Sequence, residues 1–352
     1  MTLSQSQKFV ILSVVRRFCR TESKDPDAAR LTSAVRTFLT TIPLLALLLL
    51  ALPAHAQPKS TGKISGAAIY SLTRQFLAVA PRRFNGSPGH AAAEEFIKAH
   101  FAPEIAAHRF DIDHFTASTP LGFQPMDNLI VRYPGKKDGI IVLLTHYETN
   151  YPLKDTSFEG ANDGACTTAL LIEIGEYLRK NPPQGYSVYL VFDDGEEAVA
   201  NPPYNPNQWQ PGAANALYGT KHLAAKWSQD GTLGHIKALL LADMIGDKDL
   251  NILEETQSTQ SLRDLLRQAA INTHHTANVF KTSASEEDDH LPFLQRGVPS
   301  IDIIDVDYGP HTAALPDGYH HTVQDTLDKL SPQSLQTAAD LFLEMITLIN
   351  QH

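Results

Sequence analysis

Glu196 and Glu197 follow the run Val188-Tyr189-Leu190-Val191-Phe192 and the turn Asp193-Asp194-Gly195. Adjacent carboxylates cannot point the same way. One can hold a metal while the other moves a proton on a substrate. A solvated acidic turn would explain such a pair standing alone. Residues of related chemistry recur at comparable places, however: His146, Asp163, Asp243, Asp289 and His321. Each singly has an ordinary explanation. His146 reads as a core histidine, Asp163 as a helix N-cap, Asp243 as a turn residue, Asp288-Asp289 as an acidic loop, and His320-His321 as a surface pair. Gathered at one sheet edge, they form a donor set for zinc. Zinc binds imidazole nitrogen and carboxylate oxygen at roughly 2.0–2.2 Å, and a catalytic site keeps one position open. Two carboxylates and one histidine meet that need. The remaining donors also allow a second ion, as in hydrolases with two metals about 3.5–4 Å apart.

Strand ends must bring these residues together. Ile140–Thr145, Tyr186–Phe192, Ile236–Ala242 and Ser300–Ile304 are short apolar runs that suit strands buried on both faces. Asn128–Tyr133 and the alternating Arg109–Thr116 read as further strands, the latter at an edge. Asn251–Leu253 reads as a short strand. Helical spacing covers Ile64–Ala80, Ala91–Phe101, Ala165–Arg179, Leu217–Trp227, Ser261–Thr273 and Gln333–Ile349. Pro202–Ala214 reads as a long loop. Strands alternating with helices predict an α/β fold of three layers: a doubly wound, mostly parallel sheet with helices on both faces. Ligands of such sheets bind beyond the carboxyl ends of the strands.

The chain has 352 residues and a formal charge of -10. Its first 56 residues hold seven Lys/Arg and three Asp/Glu, leaving 22 against 36, or -14, for the rest. An acidic body argues against nucleic acid as a partner. It suits a substrate with a free amine. Arg36, the apolar run Ile42–Leu52 and Ala54-His55-Ala56 form the three-part pattern of a secretory signal, with cleavage expected after Ala56. Eleven apolar residues fall short of the roughly 20 that span a bilayer. We therefore expect a leader over 1–56, with a misassigned start, and one catalytic domain over 57–352. The mature protein would be periplasmic or secreted, with no stable membrane span. Only Cys19 and Cys166 occur, so that domain has no internal disulfide.

Three segments carry a resemblance. They are Phe192-Asp193-Asp194-Gly195-Glu196-Glu197-Ala198, Leu217-Tyr218-Gly219-Thr220-Lys221-His222-Leu223-Ala224-Ala225-Lys226, and Asp288-Asp289-His290-Leu291-Pro292-Phe293-Leu294-Gln295-Arg296-Gly297-Val298-Pro299. From about Arg82 onward the chain resembles the zinc-dependent aminopeptidase superfamily and, within it, the glutaminyl-peptide cyclotransferases. Gly160-Ala161-Asn162-Asp163 and Asp243-Met244-Ile245-Gly246 match both. The resemblance implies one zinc held by Asp163, Glu197 and His321. It implies Glu196 as proton shuttle and an Asp243–Asp289 carboxylate pair beside it. Peptide or protein N-termini would be the substrates, with glutamine converted to pyroglutamate and ammonia released. The rival is a two-zinc aminopeptidase with His146 and Asp243 as added ligands. Glu148 stands where the family often has Asp, and His320 where animal members carry a pocket-wall Trp.

Overall fold

The computed structural model describes residues 64–199 and 215–351. The leader and the Pro202–Ala214 segment lie outside them. The chain enters through α1 (Gly66–Val79), α2 (Pro88–His100) and the short α3 (Ala102–Ala106). A hairpin follows, β1 (Phe110–Thr119) and β2 (Gly122–Tyr133), and then β3 (Lys137–His146). Helix α4 (Cys166–Lys180) leads to β4 (Tyr186–Asp193), and α5 (Tyr218–Asp230) leads to β5 (Ile236–Asp243). Next come β6 (Ile252–Glu255), α6 (Gln260–Asn272), β7 (Val279–Ala284), α7 (Leu291–Leu294), β8 (Ser300–Ile304) and the closing α8 (Pro332–Ile349).

The main sheet has the order β1-β2-β4-β3-β5-β8. Strands β4, β3, β5 and β8 run parallel, while β2 is antiparallel to β4 and to β1. The expected mostly parallel sheet is present, with Phe110–Thr119 as its edge strand. Ile141 to Leu144 of β3 are fully buried because helices cover both faces. One face packs on α1, α4 and α8 through Phe76, Leu170, Ile174 and Phe342. The other packs on α5 through Leu223 and Trp227.

Strand order reverses at β3. The chain passes from β3 to β4 on one side, then crosses back to β5 on the other. Such a switch point opens a crevice at the strand carboxyl ends. His146, Asp193 and Asp243 are the last residues of β3, β4 and β5, so the topology alone brings three of the chemistry-bearing segments to that crevice. Strand β7 was not legible in the sequence. It pairs with β6 in a separate two-stranded sheet, and its Lys281-Thr282-Ser283 stretch is exposed and carries no apolar pattern.

Candidate active site and metal centre

At the end of β3, His146 is 1% exposed. Its Nε2 stands 3.2 Å from Asp163 Oδ1 and 3.4 Å from Asp243 Oδ1, and its Nδ1 stands 4.0 Å from Glu196 Oε2. On the other side of Asp163, His321 Nε2 lies 3.4 Å from Asp163 Oδ2 and 3.1 Å from Glu197 Oε2. Two donors about 2.1 Å from a tetrahedral ion stand about 3.4 Å apart, so each of these pairs has the spacing of two ligands of one ion, and His146, Asp163 and Asp243 offer donor atoms all within 4.8 Å of one another. Yet His146 Nδ1 and Nε2, Asp163 Oδ2, Glu197 Oε1, Asp243 Oδ1 and His321 Nδ1 are all buried without a hydrogen-bond partner. Buried polar atoms are rarely left so. Close approach without hydrogen-bond geometry is what donors aimed at a common point, rather than at each other, produce. The residues fit a metal ion, and Asp163 offers one oxygen to each side.

Backbone geometry places these donors. Asp163 sits in a turn with φ -83° and ψ 92°, followed by Gly164 at φ 85°. A Cβ on Gly164 would come within 2.8 Å of His146 Cε1, so only glycine lets the turn close on the imidazole. Gly195, at φ 85°, turns the chain after β4 toward Glu196 and Glu197. The two side chains then differ as expected for adjacent residues: Glu197 is 4% exposed and Glu196 18%. His321 is itself left-handed, at φ 52°.

A layer of buried groups fixes the turns. Glu148 accepts from the Glu197 backbone N–H (3.0 Å) and from that of Tyr147 (3.3 Å). Asn150 Nδ2 donates to Glu197 Oε2 at 2.8 Å. Asn162 ties the Asp163 turn to the Asp243 loop, accepting from Gly246 N (2.7 Å) and donating to Met244 O (3.2 Å). Asp325 accepts from the backbone N–H groups of Asn162 and Asp163 and from the Tyr308 hydroxyl. Arg83, fully buried, donates to the carbonyls of Tyr147 (2.7 Å), Glu159 (2.6 Å), Gly160 (2.7 Å) and Asp163 (3.0 Å). Burial lowers its guanidinium to about 10, with Asp163 and Asp325 opposing. It therefore stays charged at neutral pH.

Electrostatics separate the carboxylates. Burial first, and then the charges on Asp288, Glu197 and Asp289, push Glu196 well above the usual carboxylate range, with His146 opposing. Asp289 Oδ1 accepts from Thr220 at 2.5 Å, and among the charges acting on it Asp243 comes after His146 and Glu148. For Asp288, the Asp243 charge is the largest of its surroundings. The Asp243 charge thus acts on both neighbouring aspartates, Asp288 and Asp289.

His90 supports the site from α2. Its Nε2 lies 2.8 Å from Asp194 Oδ1 and its ring stacks on Tyr147. Burial lowers its pKa, but the Asp194 charge and hydrogen bond outweigh it and raise the group to about 9. A raised pKa gives stability that is full below about 6.5 and lost as pH rises through about 9, here on the order of 3 kcal/mol. We expect the stability gap between wild type and His90→Gln to be widest at pH 6 and to close above pH 9. Denaturant unfolding across that range checks it, and a pH-independent gap would refute it.

Residues 128–346 match the model of peptidase family M28. The solved structure of an Acidobacteriales bacterium glutaminyl cyclase superposes with a TM-score of 0.79 at 65% identity, covering 85% of this chain and 98% of that one. The chain belongs to the glutaminyl cyclases of peptidase family M28. A glutaminyl-peptide cyclotransferase-like protein of Bos taurus is 30% identical over 247 residues, which are 63% of this chain and 62% of that relative. A zinc-dependent exopeptidase of Parabacteroides distasonis shares the fold, with a TM-score of 0.69 at 19% identity over 82% of this chain and 99% of that one. That likeness is one of fold and lends the aminopeptidase alternative no support. Among the described residues of this glutaminyl cyclase, no helix is long and apolar enough to cross a membrane.

Proposed function

We propose that the protein cyclises N-terminal glutamine of peptides with one zinc ion, held by Asp163, Glu197 and His321. The observation that carries this is His321 Nε2 lying within 3.4 Å of both carboxylates while three of the set's oxygens and nitrogens lack partners. A bound zinc supplies Lewis acidity at the γ-carbonyl oxygen. Glu196, beside the ligand Glu197 but more open to solvent, takes the proton that the α-amine loses as its nitrogen bonds to the γ-carbon. It gives that proton to the departing amide nitrogen, so ammonia leaves and no water is consumed. Burial and the charges of Asp288, Glu197 and Asp289 keep the Glu196 carboxyl high enough to carry the proton between the two nitrogens. His146 lies beside Asp163 and Asp243 in this reading without holding a second ion.

Metal analysis tests the ligand set. Wild type and His146→Ala are expected to bind about one zinc per chain, and His321→Ala to lose it, because one donor of three is gone. Two zinc ions per chain, or loss in His146→Ala, would restore the two-metal reading.

We also propose that 57–352 is a single catalytic domain exported through the 1–56 leader, on the sequence pattern at Arg36, Ile42–Leu52 and Ala54-His55-Ala56. Mass spectrometry of the mature protein is expected to find Gln57 first. Cyclisation of Gln57 itself would block Edman chemistry, so intact mass is the suitable readout. A mature chain that retains Ile42–Leu52 would refute export by cleavage.

A further inference from the structure

His320 is the residue at the site that the proposed mechanism leaves unused. Successive side chains of an extended segment point to opposite sides. Here the left-handed backbone of His321 defeats that alternation, and the two imidazole rings lie 3.9 Å apart, centroid to centroid. Both rings thereby face Asp163: a donor atom from each of Asp163, His320 and His321 falls within 4.8 Å of the other two. His320 is half-buried, and among the described residues its ring has no hydrogen-bond partner. It lies between Tyr308 and Thr326, where the chain forms no helix or strand, so the ring can move without disturbing the sheet. A half-buried imidazole with no partner, adjacent to two donors already converging on one point, has the chemistry and the placement of a ligand.

We propose that His320 is a fourth protein donor to the metal when substrate is absent, filling the position that the substrate carbonyl later takes. The inference rests on Asp163, Glu197 and His321 being the permanent ligands. A site with four protein donors holds zinc tightly but is closed, whereas catalysis needs an open position. A donor on an irregular loop reconciles the two, since it can be displaced.

The test compares wild type, His320→Ala, His320→Phe and His321→Ala, with zinc affinity measured by chelator competition and visible absorption measured on the cobalt-substituted proteins. Phenylalanine keeps a ring against His321 and removes the donor nitrogen. Loss of groups around bound metals commonly costs about 10–100-fold in affinity. Both His320 variants are expected to weaken zinc at least tenfold and to alter the cobalt bands alike, while their metal-free forms unfold at the wild-type temperature. A His320→Phe protein with wild-type zinc affinity and an unchanged cobalt spectrum would overturn the inference and make His320 a pocket wall. Retention of zinc by His321→Ala would instead overturn the ligand set on which it stands.

Discussion

Glu196→Gln is expected to lower kcat on N-terminal glutamine peptides by about 10²–10⁴-fold, the usual share of a positioned acid–base group. The substitution preserves shape and removes the basic oxygen. Glu196 is not among the proposed ligands, so zinc content should match wild type. KM should change little, because the lost interaction belongs to proton transfer in the transition state and not to ground-state binding. The environment supports the role: burial and the charges of Asp288, Glu197 and Asp289 raise the Glu196 carboxyl, which narrows the gap between its basicity and that of the groups it serves. Steady-state kinetics with zinc analysis of the same preparation checks the prediction. A Gln variant that cyclises at near the wild-type rate would remove Glu196 from the mechanism.

The second large effect is expected from Arg83→Met. Methionine approximates the length of the side chain but leaves the carbonyls of Tyr147, Glu159, Gly160 and Asp163 facing an apolar group. Buried acceptors without donors and the loss of a buried charge-assisted network together cost roughly 3–5 kcal/mol. The guanidinium also lies over the Phe76 ring at 5.2 Å, so α1 loses an anchor at the same time. Because Tyr147 follows His146 and Asp163 is a proposed ligand, the variant should bind zinc more weakly as well as unfold at lower temperature. Arg83→Lys should be intermediate: one ammonium cannot reproduce the planar fork that reaches four carbonyls. Thermal unfolding with and without added zinc measures both effects. An Arg83→Met protein as stable as wild type would contradict the clamp.

The legible and illegible parts of the sequence divide along physical lines. Ile140–Thr145, Tyr186–Phe192 and Ile236–Ala242 announce themselves because strands covered on both faces need uninterrupted apolar side chains. The structure extends each by only a residue or a few, and the polar residue that ends each strand is the one at the site edge. The β1–β2 hairpin was read only in part, since its tip is exposed, with Phe123 78% accessible, and burial imposes no pattern there. Strand β7 escaped for the same reason. Arg83 carries no sequence signal of burial, since an Arg-Arg pair ahead of Gly86-Ser87-Pro88-Gly89 reads only as a loop. Its burial follows from four backbone carbonyls that only the folded turns bring together. The candidate site residues His146, Asp163, Glu196, Glu197, Asp243 and His321 stand out in the sequence because each is a polar residue placed after an apolar run or in a turn marked by glycine.

Ammonia release tests the proposed reaction most directly. Purified wild-type protein is given a peptide with N-terminal glutamine and, separately, leucine anilide, with ammonia, pyroglutamyl peptide and aniline all followed. We expect ammonia and pyroglutamyl peptide in equal amounts from the first and no aniline from the second. Aniline from leucine anilide, with no ammonia from the glutamine peptide, would mean that Glu196 activates water and that the protein is a peptidase.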